Sequence, residues 1–198
     1  MNPSTGRESH AMTYEVELKF PIGDPSDLSL QLLAHGASQG RVVHQYDLYF
    51  RHPARDFQQT HEAFRLRRSD GESFVTYKGP VVDEKTKMRR EIEIAIGRTP
   101  DDFDRMRELL VMLGFEPVRP VEKTRALFHL LWEGRQLELA VDSIDPLGAF
   151  LEIEALAEVD DRNEARDSIL RLAQRLGMES PERRSYLALL LEHDQRAN

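Results

Sequence analysis

Apolar and charged residues alternate strictly along Tyr14-Glu15-Val16-Glu17-Leu18-Lys19-Phe20. An extended chain there puts two carboxylates and an ammonium on one face and the apolar side chains on the other. The same period-2 pattern occurs in eight segments, about 13–20, 42–51, 62–68, 73–79, 86–96, 121–131, 135–142 and 149–158. Ser69-Asp70-Gly71, Gly79-Pro80 and Glu133-Gly134-Arg135 separate several of them, and links this short predict antiparallel hairpins. Helical periodicity fills the gaps. Pro25 to His35 carries Leu28, Leu32 and Leu33, and Thr99-Pro100 opens a segment with Phe103, Met106, Leu109, Leu110 and Leu113 that stops at Gly114. Arg162 to Leu176 repeats the pattern with Ile169, Leu172, Ala173 and Leu176, and Ser180-Pro181 is expected to start a last short helix carrying Tyr186, Leu187, Leu190 and Leu191. These stripes read as core. The expected class is α+β, with helices packed outside a large antiparallel sheet.

The polar faces of the strands are unusual in doubling like charges. Glu15 pairs with Glu17 at i, i+2 spacing, Arg65 with Arg67, Glu91 with Glu93, Lys123 with Arg125 and Glu152 with Glu154, while Lys78 follows on a hairpin strand. Adjacent like charges cost energy unless something binds between them. Eight strands suffice to close a barrel whose interior holds side chains or one small ligand. The expected architecture is therefore a closed eight-stranded antiparallel β-barrel, a tunnel lined by charge, with its aliphatic outside under the helices. Inside it, Glu15, Glu17, Glu152 and Glu154 make a hard-oxygen site of the kind Mg²⁺ or Mn²⁺ prefers. Lys19, Arg65, Arg67, Lys78, Lys123 and Arg125 would meet a polyanion, the arginines gripping phosphate oxygens bidentately. Metal plus polyphosphate is the natural joint ligand, since phosphoryl or nucleotidyl transfer asks chiefly for positioning and charge neutralisation.

Composition narrows the partners. The 198 residues suit one substantial core, expected as a single domain over 13–198 after a disordered lead-in over 1–12. With 35 acidic against 27 basic side chains the net charge is −8, so no nucleic-acid partner is expected. The absence of Cys removes thiolate metal sites and disulfides and fits a cytoplasmic protein. No apolar run approaches the roughly 20 residues that span a bilayer, so no membrane partner is expected either. The seven His show no credible ligand spacing, although His44 could border a tunnel mouth. A homodimer is the default expectation for assembly.

As an ordered set the charged motifs resemble a known family. Glu15-Val16-Glu17-Leu18-Lys19 resembles the ExExK signature of the CYTH superfamily, the triphosphate tunnel metalloenzymes, which includes class IV adenylyl cyclases, thiamine triphosphatases and inorganic triphosphatases. Gln45-Tyr46-Asp47-Leu48-Tyr49-Phe50 resembles the Q-x-D-x-Y-F strand of the class IV cyclase branch. Arg65-Leu66-Arg67, Lys78-Gly79-Pro80, Arg90-Glu91-Ile92-Glu93, Lys123-Thr124-Arg125, and Asp142 with the stretch Leu147 to Glu154 follow in the family's order. Ser185-Tyr186-Leu187 is similar to the branch's closing helix, so the resemblance covers about residues 13–192. It implies that Glu15, Glu17, Glu152 and Glu154 hold one or two divalent ions, with Asp142 nearby as a ligand or a supporting carboxylate. It implies that Lys19, Arg65, Arg67, Lys78, Lys123 and Arg125 contact a triphosphate, while Glu91 and Glu93 either bind metal or balance the cations. The implied activity is that of a class IV adenylyl cyclase, ATP to cyclic AMP and pyrophosphate. Hydrolysis of tripolyphosphate or thiamine triphosphate is the alternative, as is a non-catalytic polyphosphate- or nucleotide-binding module. Cyclase and triphosphatase would use the same metal and cations, and no residue is assigned to adenine.

Overall fold

The computed structural model describes residues 13–81 and 89–197. The chain runs β1 (Thr13–Ile22), α1 (Pro25–Ala34), β2 (Ser38–Arg51), β3 (Ala63–Ser69), β4 (Glu72–Lys78), β5 (Glu91–Gly97), α2 (Pro100–Met112), β6 (Glu116–Trp132), β7 (Arg135–Ile144), β8 (Gly148–Glu158), α3 (Arg162–Arg175) and α4 (Tyr186–Ala197). The strands form one antiparallel sheet in the order β1-β8-β7-β6-β2-β3-β4-β5, which gives the expected α+β class. The lead-in expected over 1–12 and the first residues of the strand expected over 86–96 lie outside the described residues.

The turn chemistry works as expected at two hairpins. Asp70 and Gly71 join β3 to β4 with φ of 48° and 80°, and Glu133 and Gly134 join β6 to β7 with φ of 50° and 81°. Two successive left-handed residues match the twist of the flanking strands, and glycine takes the second position without a Cβ penalty.

Three boundaries differ from the sequence pattern. Strand β2 starts at Ser38 and β6 at Glu116, each earlier than the alternation suggests. In β6 the cause is Pro117 and Pro120, which lack an N–H and read as breakers. They are accommodated opposite Phe50 and Leu48, where the β2–β6 register shifts. The last helix begins at Tyr186, not near Ser180, because the preceding segment is committed to β1. There the Glu182 N–H donates to the Lys19 carbonyl at 2.7 Å and Lys19 Nζ donates to the Arg184 carbonyl at 2.6 Å. Ser185 Oγ then accepts from the Ala188 N–H at 3.1 Å and caps α4.

Helix α2 begins in a capping box. The Asp102 N–H donates to Thr99 Oγ1 at 3.2 Å and the Thr99 N–H donates to Asp102 Oδ2 at 2.9 Å. Thr99→Ala is expected to cost about 1 kcal/mol in urea unfolding, with the slope unchanged; a cost near zero would mean that packing alone holds this helix end.

The aliphatic faces of the strands carry the cores. Val16, Leu18, Phe20, Leu139, Leu151 and Ile153 bury against Leu28 and Leu32 of α1 and Ala165, Ile169 and Leu172 of α3. On the other half of the sheet Leu48, Phe50 and Leu66 pack on Phe103 and Leu110 of α2. Helix cover reaches β5 only at its end, where Ile96 packs beside the α2 residues, and Ile92 and Ile94 stay exposed. Helix α4 behaves differently: its Tyr186 and Leu190 pack on Tyr49, Val121, Ile144 and Phe150. Tyr49 and Phe150 share strand faces with Asp47 and Glu152 by period-2 spacing. Helix α4 thus covers one end of the charged face.

The expected closed barrel is met in strand number and direction, but among the described residues its seam is not continuous. Strand β5 spends its residues on β4, and the outer strands β1 and β5 are not paired with each other. The sheet curls far enough that Arg89, just before β5, forms one bridge with Glu15 of β1, with two N–H to carbonyl bonds of 3.3 Å. The Glu15 side chain also accepts from Lys78 of β4 at 2.8 Å. No helix among the described residues is long and apolar enough to cross a membrane.

Candidate active site

Register decides which charges meet. Glu17 stands opposite Glu154 and Lys19 opposite Glu152 across β1–β8. Arg125 stands opposite Asp142 across β6–β7, Gln45 opposite Lys123 across β2–β6, and Asp47 opposite Arg67 across β2–β3. Lys78 faces Glu91, and Thr76 faces Glu93, across β4–β5. Directly opposed residues point to the same side of a sheet, so all of these share the concave face. Lys19, Asp47, Lys123, Arg125 and Asp142 are buried there, Asp142 completely.

Three of the predicted metal ligands come together. Glu15, Glu17 and Glu154 each offer a carboxylate oxygen, and the three oxygens lie within 4.8 Å of one another. Burial pushes the Glu154 carboxyl well above the usual carboxylate range, and the charges of Glu15 and Glu17 push it further against the pull of Arg125. Burial also raises Glu15, against the attraction of Lys78. Of the two acids on Lys78, Glu91 stays below the usual range despite its own burial. Its hydrogen bond with Glu15 and the Lys78 ammonium, 2.5 Å away, hold it there. Three carboxylates forced together in a low-dielectric site are costly alone and become favourable around a hard divalent cation. The donor set, all oxygen and no nitrogen or sulfur, fits Mg²⁺ or Mn²⁺.

The other two predicted ligands lie on the cation side. Asp142 accepts from Arg125 Nε and Nη2 at 2.7 Å each, from Lys123 Nζ at 2.8 Å and from the Tyr186 hydroxyl at 2.9 Å. Arg125 and Lys123 outweigh the burial of Asp142 and hold its carboxyl below the usual range. Glu152 accepts from Arg125 Nη2, whose guanidinium also approaches Glu154 at 3.9 Å. The structure thus separates the five acids into a trio and an arginine-bound pair.

The cations are aimed by acids the sequence pattern did not assign. Asp47 takes Arg67 in a two-pronged grip at 2.7 and 2.8 Å and lies 3.3 Å from Arg65, which also donates to the Tyr49 hydroxyl. Burial would raise Asp47, yet the two guanidinium groups hold it well below the usual range. Its position in the Gln45 to Phe50 motif was the available signal. Lys19 takes a different course from the other predicted phosphate contacts. Its ammonium lies on the Arg184 carbonyl and 3.9 Å from the Tyr186 ring centroid, at the end covered by α4. Glu93 accepts from Thr76 at 2.7 Å, and His44 is exposed beside Thr124. At the opposite end a cleft of about 720 Å³ is lined by Glu15, Glu154, Glu138, His129 and the β6–β7 turn. This volume is usual for a small-molecule site. The cleft reaches Glu15 and Glu154 of the trio but none of the six predicted cations.

A buried, cation-rich face beside clustered carboxylates can hold a metal-bound polyanion, and comparison with known proteins supplies the family. The CYTH domain family matches residues 13–186. A Methanocaldococcus jannaschii protein that carries the provisional name adenylate cyclase is 34% identical over 178 residues, 88% of this chain and 97% of that one. Among solved structures, the PH1819 protein of Pyrococcus horikoshii is 40% identical, with a TM-score of 0.79 over 90% of this chain and 99% of that one. A Hippeastrum protein described as revealing a dominant triphosphatase activity shares the fold at 20% identity, with a TM-score of 0.62 over 92% of this chain and 96% of that one. On the strength of the family match and of these relatives, the chain belongs to the CYTH domain family.

Proposed function

We propose that this protein is a divalent-metal-dependent enzyme that converts ATP to cyclic AMP and pyrophosphate. The observation that carries the reading is the Glu15, Glu17 and Glu154 trio set beside the guanidinium and ammonium groups of Arg65, Arg67, Lys78, Lys123 and Arg125 on one buried face. The resemblance of Gln45 to Phe50 to the cyclase branch, and the name of the M. jannaschii relative, favour cyclisation over hydrolysis.

In this reading Glu15, Glu17 and Glu154 hold Mg²⁺ or Mn²⁺, with Glu152 next in reach once Arg125 turns to phosphate. An ion held by these carboxylates would neutralise phosphate charge and so ease the departure of pyrophosphate. Arg65, Arg67, Lys123 and Arg125 bind the triphosphate oxygens. Asp47 and Asp142 orient those groups before substrate arrives, so little reorganisation remains for the reaction itself. Lys78, already matched by Glu91, adds charge beside the trio. Lys19 and Tyr186 close the far end, which limits the water that could compete with the ribose hydroxyl for phosphorus.

The test is product analysis after incubation with ATP, tripolyphosphate and thiamine triphosphate in turn, each with Mn²⁺ or Mg²⁺. Cyclic AMP and pyrophosphate from ATP are expected. Orthophosphate release without cyclic AMP would replace the cyclase by a triphosphatase, and binding without turnover would leave only a nucleotide- or polyphosphate-binding module.

A further inference from the structure

Gln45 carries a buried acceptor that no group among the described residues satisfies. Its side chain lies on the concave face two residues before Asp47, directly opposite Lys123 of β6 and Ser69 of β3. Its Oε1 is buried and has no hydrogen-bond partner among the described residues. Of the cations beside it, Lys123 Nζ donates to Asp142 and Arg67 donates twice to Asp47, and neither bonds Gln45 Oε1. Buried polar atoms are almost always paired, so an orphan on the wall of a binding site points to a group that the ligand brings.

The chemistry of the orphan restricts that group. An amide oxygen only accepts, whereas the oxygens of an ionised, metal-bound triphosphate also only accept. Inorganic tripolyphosphate therefore has nothing to give Gln45 Oε1. A ribose does, because its hydroxyls are donors tethered close to the α-phosphate, and Gln45 sits immediately beside the cations that would hold phosphate. Resting on the functional reading above, we infer that Gln45 Oε1 accepts a hydrogen bond from a ribose hydroxyl, making Gln45 a residue that selects a nucleoside triphosphate over an inorganic one.

Titration calorimetry with Ca²⁺ present, using ATP, 2′-deoxy-ATP, 3′-deoxy-ATP and tripolyphosphate on wild type and Gln45→Met, tests this. The variant is expected to bind ATP about 10- to 100-fold more weakly and tripolyphosphate within about twofold of wild type. One of the two deoxy nucleotides should bind wild type as weakly as ATP binds the variant, with no further loss in the variant. That arm reads on the unmodified protein and stands even if the variant folds poorly. Equal losses for ATP and tripolyphosphate would make Gln45 a phosphate contact and overturn the inference while the site reading survives. Unchanged affinity for both ligands, or deoxy nucleotides that bind wild type like ATP, would also overturn it. Failure of wild type to bind either triphosphate would remove the site reading and this inference together.

Discussion

Glu154→Gln and Glu17→Gln are each expected to lower Mn²⁺-dependent turnover by about 100-fold or more, while the metal-free protein stays folded or melts slightly higher. The two effects share one cause. Glu15, Glu17 and Glu154 crowd their oxygens within 4.8 Å, and burial with like-charge repulsion keeps Glu154 above the usual carboxylate range. Neutralising one member relieves that repulsion when no ion is bound and removes a ligand when one is. Melting curves with and without Mn²⁺ separate the contributions. A ligand at 100 times its Kd stabilises a protein by about 2.7 kcal/mol, so wild type should show a clear metal-dependent rise that the variants lose. Full activity in both variants, or an undiminished metal-dependent rise, would sink the assignment of the trio as the metal site.

Asp142→Asn is expected to cost about 3–5 kcal/mol in urea unfolding, the largest stability loss of any single change proposed for this chain. Asp142 is completely buried and is the common acceptor for Arg125, Lys123 and Tyr186. An amide of the same shape keeps one oxygen but leaves the buried Lys123 ammonium without its charged acceptor and Arg125 with Glu152 and Glu154 alone. The pH dependence follows from the same contacts. A carboxyl held below its unfolded value, about 3.9 for aspartate, stabilises the fold above that pH, and the stabilisation fades as pH falls through the lower folded value. Asp142 and Asp47 both contribute in this direction. Wild type should therefore lose stability below about pH 4, and Asp142→Asn should show a shallower acid limb. Substrate and metal titrations complete the test. If Asp142 positions cations, the variant raises KM for the triphosphate at unchanged Mn²⁺ affinity. Weaker Mn²⁺ affinity would return Asp142 to the ligand set, and a stability loss below about 1 kcal/mol would mean that Glu152 and Glu154 carry the network.

Much of the site was legible because a strand has only two faces. Alternation in 13–20, 62–68, 121–131 and 149–158 assigned Glu15, Glu17, Arg65, Arg67, Lys123, Arg125, Glu152 and Glu154 to polar faces without any knowledge of how the strands pair. Alternation in 135–142 also set Asp142 opposite the aliphatics, and the resemblance to CYTH domains gave it a role near the metal. Asp47, although visible in its motif, received no role because its partners Arg65 and Arg67 come from the next strand.

The legible part is therefore local: which segments are strands, which side of each strand is charged, and where the Asp70-Gly71 and Glu133-Gly134 turns reverse the chain. These follow from backbone geometry and side-chain periodicity, which act over a few residues. Tertiary structure alone decided the pairing of charges. Cross-strand register set Glu17 against Glu154 and so built the trio, and Asp142 between Arg125 and Lys123 became their common acceptor. The Arg184 carbonyl, far along the chain, took the Lys19 ammonium, and the curled sheet brought Arg89 to bridge Glu15 across the seam. A charge identifies itself in the sequence, but its partner is set by distance in space. In a buried face that distance decides whether a carboxylate lies beside an arginine, beside another acid, or within reach of a metal.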